Sequence, residues 1–359
     1  VTTNPPNGET PEKPRCRFSR PCISRRGRPW IRRRWLRWTV RVLLAIFVVT
    51  TLFSLVYNLA TNGDQKPASA LYSGPYVKID GRQIAYRELG TQGSSIIFLG
   101  GFAEPSWVWD PVASRLARTH HVYALDLPPF GYSERKGPYG LADWTRLVRD
   151  FAAHFGLQRP LIVGHSLGAA VAVNVGLDVP GNTAGVVLLD GDALPVGGPH
   201  WIANLFVNPY YTTLFRLVTH SDWLVRQVLD QAYGPDRPRI TGAQVDDWER
   251  EFRVQGTENG FHDLFHQGVQ GLTLADLRRL RVPRIVVWGQ HDTVDEIKAG
   301  RTSAQALGVH LIVIPRAGHL SMLVEPAAVA RAIESFAARI DRVPSVRPGP
   351  KRSRISPVH

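Results

Sequence analysis

Residues 161–170, LIVGHSLGAA, leave this chain few folds to choose from. A short run of branched apolar residues, the mark of a buried strand, breaks into Gly164-His165-Ser166-Leu167-Gly168 and passes at once into an Ala/Val-rich stretch of helical character. A strand, this turn and a helix within so few residues require a sharp reversal, with Ser166 on strained backbone at the strand's carboxyl end. Gly164 and Gly168 leave room for strand and helix to approach each other. The helix then directs its N-terminal N–H groups at the serine, where they favour developing negative charge. The plainer reading is a glycine-rich helix start with Ser166 as its N-cap. The strand before and the helix after favour a nucleophile.

A serine hydroxyl attacks poorly unless a base removes its proton. On this fold the partners are expected later in the chain, acid before histidine. Residues 286–292, VVWGQHD, place Asp292 just beyond a strand, and residues 311–319, LIVIPRAGH, place His319 on the loop after the last strand. The carboxyl ends of parallel strands open on one crevice, so these loops can meet there. Ser166, Asp292 and His319 are the expected triad, with Asp292 orienting the imidazole and His319 moving the proton. Asp190, also past a strand end, is the second candidate acid. Of the eleven other histidines, His165 is expected to be packed or hydrogen-bonded inside the elbow, and His291 precedes the acid in its turn. His262 and His266 have a metal-compatible spacing but no acid cluster beside them, so neither a metal nor a cofactor is expected. For the oxyanion, Leu167 supplies one backbone N–H. Phe102, in LGGFA after the strand at 95–99, is assigned the other, against the alternative of an ordinary glycine turn.

The remaining pattern alternates. Residues 77–79 and 84–87 flank Asp80-Gly81 as a hairpin. Buried-strand runs follow at 95–99, 121–125, 161–163, 185–189, 284–288 and 311–314, with helical segments near 106–118, 141–155, 167–178, 295–306 and 326–339. Such alternation predicts an α/β domain over 76–341, a mostly parallel eight-stranded sheet with helices on both faces. Residues 195–281 break the rhythm. They show helical periodicity without a convincing strand and read as a helical insertion.

The flanks are of another kind. The formal net charge of +13 is uneven: +10 over residues 1–61, +5 over 342–359, and −2 over the rest. The central domain is therefore near neutral, and nucleic-acid binding is not expected of it. The tails 1–41 and 342–359 read as disordered. Residues 42–60, VLLAIFVVTTLFSLVYNLA, carry no charge and match the ~30 Å hydrocarbon core as a helix of roughly 28 Å. With twelve basic residues before it and only Lys66 soon after, the N-terminus is expected in the cytoplasm and the domain on the extracytoplasmic side. An uncleaved single-pass anchor is favoured over a signal peptide cut near Ala68-Ser69-Ala70, because the apolar run exceeds a signal peptide's usual length. Residues 61–75 read as a polar linker. Cys16 and Cys22 lie in the tail, so no disulfide is expected in the domain. The chain begins with Val and its single Met is Met322, so the start of translation is expected at a non-standard codon or elsewhere in the tail.

Taken together, Gly100-Gly101-Phe102, Trp107-Val108-Trp109-Asp110-Pro111, residues 126–133 (DLPPFGYS), the 164–168 elbow, Trp288-Gly289-Gln290-His291-Asp292, and Gly318-His319 with Glu325-Pro326 resemble the α/β-hydrolase fold family, in its esterase and lipase-like branch. The resemblance covers about three quarters of the chain in the family's order. It implies the α/β-hydrolase fold, and a serine hydrolase with the insertion as a cap over the pocket. The chain departs from the family at Gly100, where histidine is frequent, and at Pro129, where glycine is usual. Serine rather than aspartate at the elbow disfavours the chemistry of dehalogenase-like and epoxide-hydrolase-like relatives.

The insertion holds eleven aromatics: Trp201, Phe206, Tyr210, Tyr211, Phe215, Trp223, Tyr233, Trp248, Phe252, Phe261 and Phe265. They either face an apolar acyl or aromatic group of a substrate or pack the cap onto the body. A carboxylic ester or lipid-like small molecule is the expected substrate. C–C, amide or thioester cleavage, perhydrolysis and acyl transfer stay open, because the triad gives an acyl-enzyme in most of them. A non-catalytic binding module is the remaining alternative.

Overall fold

The apolar runs become eight short strands: β1 (Tyr76–Ile79), β2 (Arg82–Leu89), β3 (Ser95–Leu99), β4 (His121–Leu125), β5 (Leu161–His165), β6 (Gly185–Leu189), β7 (Arg284–Gly289) and β8 (Leu311–Ile314). This is a computed structural model, and it describes residues 29–194, 208–237, 239–268 and 271–342. The strands form one sheet in the order β1-β2-β4-β3-β5-β6-β7-β8. β1 and β2 make an antiparallel hairpin whose turn residues, Asp80 and Gly81, both take positive φ, as a tight Asp-Gly turn requires. β2 runs antiparallel to β4, and every pairing from β4 through β8 is parallel. The fold is the α/β-hydrolase fold expected above, and all eight strands fall where the sequence placed them.

The helices are α1 (Pro29–Thr61), α2 (Ala68–Leu71), α3 (Asp110–Leu116), α4 (Leu141–His154), α5 (Leu167–Asp178), α6 (Tyr210–Thr219), α7 (Asp222–Tyr233), α8 (Gly242–Glu249), α9 (Thr257–Gln267), α10 (Leu274–Arg279), α11 (Ile297–Leu307), α12 (Ser321–Val324) and α13 (Pro326–Asp341). Successive side chains of a strand point to opposite faces, so the central strands feed two cores. Ile97, Leu99 and Ile162 pack with residues of α4, α5, α10 and α11. Ile96, Phe98 and Val163 pack with residues of α3 and α13. Both faces are dry, which is why these strands read as continuous apolar runs. Helices α6–α10 lie between β6 and β7, where helical periodicity without a strand was expected. Residues 195–207, with Trp201 and Phe206, lie outside the described residues, as do 1–28 and 343–359.

The chain divides into two units after Phe53. α1 is long and apolar enough to cross a membrane, and its large apolar side chains from Trp35 to Leu59 are mostly exposed. One expectation about the flanks needs correction. Residues 29–41 are helical rather than part of a disordered tail: Pro29 is a favourable first helical residue, and Arg and Leu are good helix formers. The polar linker 61–75 is docked on the domain. Lys66 exchanges backbone hydrogen bonds with Arg253 (2.8 Å) and Gln255 (2.9 Å), and Tyr72 stacks on Tyr132 at 5.0 Å. The polar composition hid the apolar surface that two tyrosines supply.

Trp288 shows how the sheet supports the site. Its indole is fully buried, lies against Gly300 so closely that a Cβ there would sit 2.5 Å from the ring, and donates its N–H to Asp295 O at 2.9 Å. Trp288→Ala is expected to cost about 3–5 kcal/mol of stability, read as a lower denaturant midpoint of the full chain in detergent. A cost under about 1 kcal/mol would contradict this packing.

Candidate active site

Ser166 stands between β5 and α5 with φ 49° and ψ −119°. A non-glycine residue seldom adopts this backbone, and it persists only where its surroundings over-determine it. Ser166 N–H donates to Leu189 O of β6 at 3.0 Å, and Ser166 O accepts from Ala169 N–H at 2.9 Å. Glycines line the turn. A Cβ on Gly164 would lie 2.0 Å from Gly168 O, and one on Gly168 would lie 2.6 Å from both Leu99 O and Gly100 O. Gly191, which the sequence reading did not single out, lies behind the serine, since a Cβ there would come within 2.4 Å of Ser166 O.

Asp292 and His319 are brought together. His319 Nδ1 lies 2.9 Å from Asp292 Oδ2, and both side chains are buried. The other oxygen, Asp292 Oδ1, accepts from Val294 N–H and Asp295 N–H, each at 2.9 Å. The carboxylate is thus fixed by its own turn through Oδ1 and leaves Oδ2 to the imidazole. The histidine loop is clamped from two sides. Gly318 and Leu320 donate backbone N–H groups to Tyr233 O and Ala232 O at the end of α7, and His291 N–H donates to Ala317 O. Gly289 is the contact with β7, for a Cβ there would meet Gly318 O at 2.1 Å. Among the described residues no hydrogen bond joins Ser166 Oγ to the His319 ring. Such bonds are often long without substrate and tighten when it binds.

His165 and Glu104 form a connection that the sequence reading largely missed. His165 is fully buried, with Nδ1 2.7 Å from Glu104 Oε2 and Nε2 2.8 Å from the backbone oxygen of His319. The carbonyl can only accept, so Nε2 carries a proton. Glu104 Oε2 also accepts from Gly101 N–H at 2.6 Å. Burial works against charge on His165. The Glu104 carboxylate, its hydrogen bond, nearby Asp190 and the His319 carbonyl outweigh it and raise the pKa to about 9. The ring is then an imidazolium that donates from both nitrogens. Glu104, His165 and His319 place three metal-capable atoms within 4.8 Å of one another. With both nitrogens acting as donors, however, His165 has no lone pair for a cation. A glutamate soon after a Gly-Gly loop and a histidine inside the elbow were the available signals.

Asp190, the second candidate acid, has a different position. Its Oδ1 accepts from Gly289 N–H at 2.6 Å, and its Oδ2 accepts from the Ser321 hydroxyl. It ties β6 to β7 and to the residues after His319, and it does not bond the His319 imidazole. Burial, countered by His165 and His319, raises its pKa to about 7.

The N–H groups of Phe102 and Leu167 donate to no acceptor among the described residues. Leu167 opens α5, and Gly101 lies against the serine, since a Cβ on Gly101 would come 2.9 Å from Ser166 Cβ. The Phe102 ring, partly exposed, lies 5.3 Å from Phe130, 5.5 Å from Phe261 and 5.9 Å from Phe265. The cap aromatics differ in burial. Tyr233, Trp248 and Phe261 are buried packing groups, whereas Phe265 keeps an exposed edge beside Phe102. His262 and His266 lie 3.1 Å apart through their Nε2 atoms on the exposed side of α9.

A raised native pKa means that folding takes up protons, so stability falls as pH rises through the shifted range. The His165 contribution is complete below about pH 6.5 and is lost as pH rises through about 9, and that of Asp190 is lost between about 4 and 7. The melting temperature of the full chain is expected to fall between pH 6 and 9. Glu104→Gln, which removes the charge facing His165, is expected to flatten that slope. An unchanged slope in the variant would show that His165 is not held charged by Glu104.

The family model of the alpha/beta hydrolase family matches residues 96–332. The hydrolase YugF of Bacillus subtilis is 23% identical over 263 residues, covering 72% of this chain and 95% of that protein. The dihydrolipoyllysine-residue acetyltransferase component of the acetoin cleaving system of Cupriavidus necator is 29% identical over 273 residues, covering 74% of this chain and 68% of that protein. Among solved structures, a bacterial membrane phospholipase A superposes with a TM-score of 0.62 at 21% identity, over 87% of this chain and all of the other. The enol-lactonase of Burkholderia xenovorans LB400 gives a TM-score of 0.60 at 20% identity, over 74% of this chain and all of the other. With its elbow, its eight-stranded sheet and a family match spanning most of the domain, the chain belongs to the alpha/beta hydrolase family.

Proposed function

We propose that this hydrolase cleaves carboxylic esters with an apolar acyl or aromatic group, through an acyl-enzyme on Ser166, while α1 anchors it in a membrane. The observation that carries the reading is the Asp292–His319 pair at 2.9 Å, set beside a serine held at φ 49°. His319 takes the Ser166 proton as Oγ attacks the carbonyl carbon, and Asp292 stabilises the imidazolium that forms. The N–H groups of Leu167 and Phe102 receive the oxyanion. The alcohol leaves with the proton from His319. Water, deprotonated by the same ring, then releases the acid and restores Ser166. Neighbours named as a phospholipase, an esterase and an enol-lactonase support the ester class. The exposed edges of Phe102 and Phe265 favour an apolar group on the acyl side. The basic residues before α1 favour a cytoplasmic N-terminus and an extracytoplasmic domain.

The test uses the full chain in detergent, a fluorophosphonate probe and p-nitrophenyl esters of increasing length. Wild type is expected to be labelled and to turn over ester. Ser166→Ala should abolish labelling, and His319→Ala should lower kcat at least about a thousandfold. Phe265→Ala should lower kcat/KM about tenfold for longer acyl chains and leave acetate nearly unaffected. Labelling that survives Ser166→Ala would overturn the nucleophile. Labelling without turnover of any ester would favour another Ser-dependent acyl transfer.

A further inference from the structure

Ser54–Thr61, the last two turns of α1, are joined to α6. Asn58 Nδ2 donates to Pro209 O at 2.9 Å, and Thr213 Oγ1 donates to Asn58 Oδ1 at 3.0 Å. Arg216 donates to Asn58 O at 2.9 Å and to Thr61 Oγ1 at 2.8 Å, while its Nε pairs with buried Glu258 at 2.7 Å. Lys66, just beyond, is held by the backbone at Arg253 and Gln255. α6 carries no charge besides Arg216, and that one faces inward.

The other side of α6 is apolar and exposed among the described residues. Leu214, Leu217 and Val218, at helical spacings of three and four, are 52%, 41% and 44% exposed, and Trp223 in the first turn of α7 is 67% exposed. Nine large apolar residues beyond position 61 are exposed among the described residues, and five of them lie in α6 and α7, so the exposure is a local feature. Leu55, Val56 and Leu59 on the last turns of α1 are exposed as well.

Length decides what covers this face. The uncharged run 42–60 only just matches a ~30 Å hydrocarbon core. The part before Ser54 is twelve residues, about 18 Å as a helix. A span that fills the core must therefore include the turns to which α6 is fixed. That places α6 within the outer ~10 Å, the headgroup and acyl boundary where amphipathic helices lie. We infer that α6 and the start of α7 are seated in the lipid surface that α1 enters, through Leu214, Leu217, Val218 and Trp223. This rests on the anchored reading above. It adds that the cap itself is a lipid-contacting element and that the ester is taken up from the lipid surface.

The test reconstitutes the full chain, with Cys16 and Cys22 replaced by Ser, in phosphatidylcholine vesicles containing brominated lipid. A bimane label is placed in turn at Leu214→Cys, Leu217→Cys, Trp223→Cys, Val49→Cys as the control within the span, and Thr302→Cys on exposed α11 as the aqueous control. Labels at 214, 217 and 223 are expected to be quenched like the label at 49, and the label at 302 to be unaffected. If 49 is quenched while 214, 217 and 223 behave like 302, the inference falls and the anchor stands. If 49 is not quenched, the anchor falls and takes the inference with it. Protection at 214 and 217 that appears only at high protein-to-lipid ratio would assign the face to a second copy and also overturn it. Leu214→Glu with Leu217→Glu is expected to lower turnover of a vesicle-dispersed ester about tenfold and to leave p-nitrophenyl acetate turnover unchanged. An equal loss on both substrates would count against lipid seating.

Discussion

A buried imidazolium is the point from which the candidate site is laid out. His165 donates one proton to Glu104, which also holds Gly101 N–H, and the other to the backbone oxygen of His319. The ring of His165, the residue preceding Ser166, thus joins the loop bearing Phe102 to the loop bearing His319. A neutral imidazole donates from a single nitrogen, so losing the charge would release one of the two loops. Burying a cation is costly unless it is paired. Here Glu104 lies at 2.7 Å and Asp190 at 3.9 Å, both buried. The charge therefore contributes stability at neutral pH, lost only as pH rises through about 9, and it joins elements that are distant in the chain.

Backbone proximity has the same purpose. Gly164, Gly168, Gly191 and Gly289 each lie where a Cβ would come within 3 Å of a backbone oxygen. Three parallel strand ends and a helix N-terminus converge on Ser166, and side chains there would push them apart. The strain in Ser166 and the missing side chains around it are two aspects of one geometry. A serine raised off the strand end needs bare backbone beneath it.

Much of this was legible because period and order are local properties. The eight strands, the elbow and the Asp292–His319 pairing each follow from a short stretch of sequence and one topological rule. Other features depend on partners that no window contains. Asp190 resembled an acid past a strand end, but its partners, Gly289 and Ser321, are remote in sequence. Glu104 had no meaning until His165 was placed beside it. The stretch 61–75 looked like a linker because its composition is polar, and it is held by Arg253 and Gln255 of the cap. Which aromatics of the insertion are buried could not be read from sequence, since that depends on what packs against each ring.

The cap connects the two ends of this arrangement. At one end, α6 is hydrogen-bonded to the last turns of α1 through Thr213 and Arg216. At the other, the carbonyls of Ala232 and Tyr233 at the end of α7 hold the backbone on either side of His319. α6 and α7 follow each other with only a two-residue break. The last turns of α1 and the loop of His319 are therefore both hydrogen-bonded to the pair of short helices α6 and α7. A cap joined in this way cannot swing widely without disturbing His319. Phe102 and Phe265, 5.9 Å apart, keep partly exposed rings on the body and on the cap.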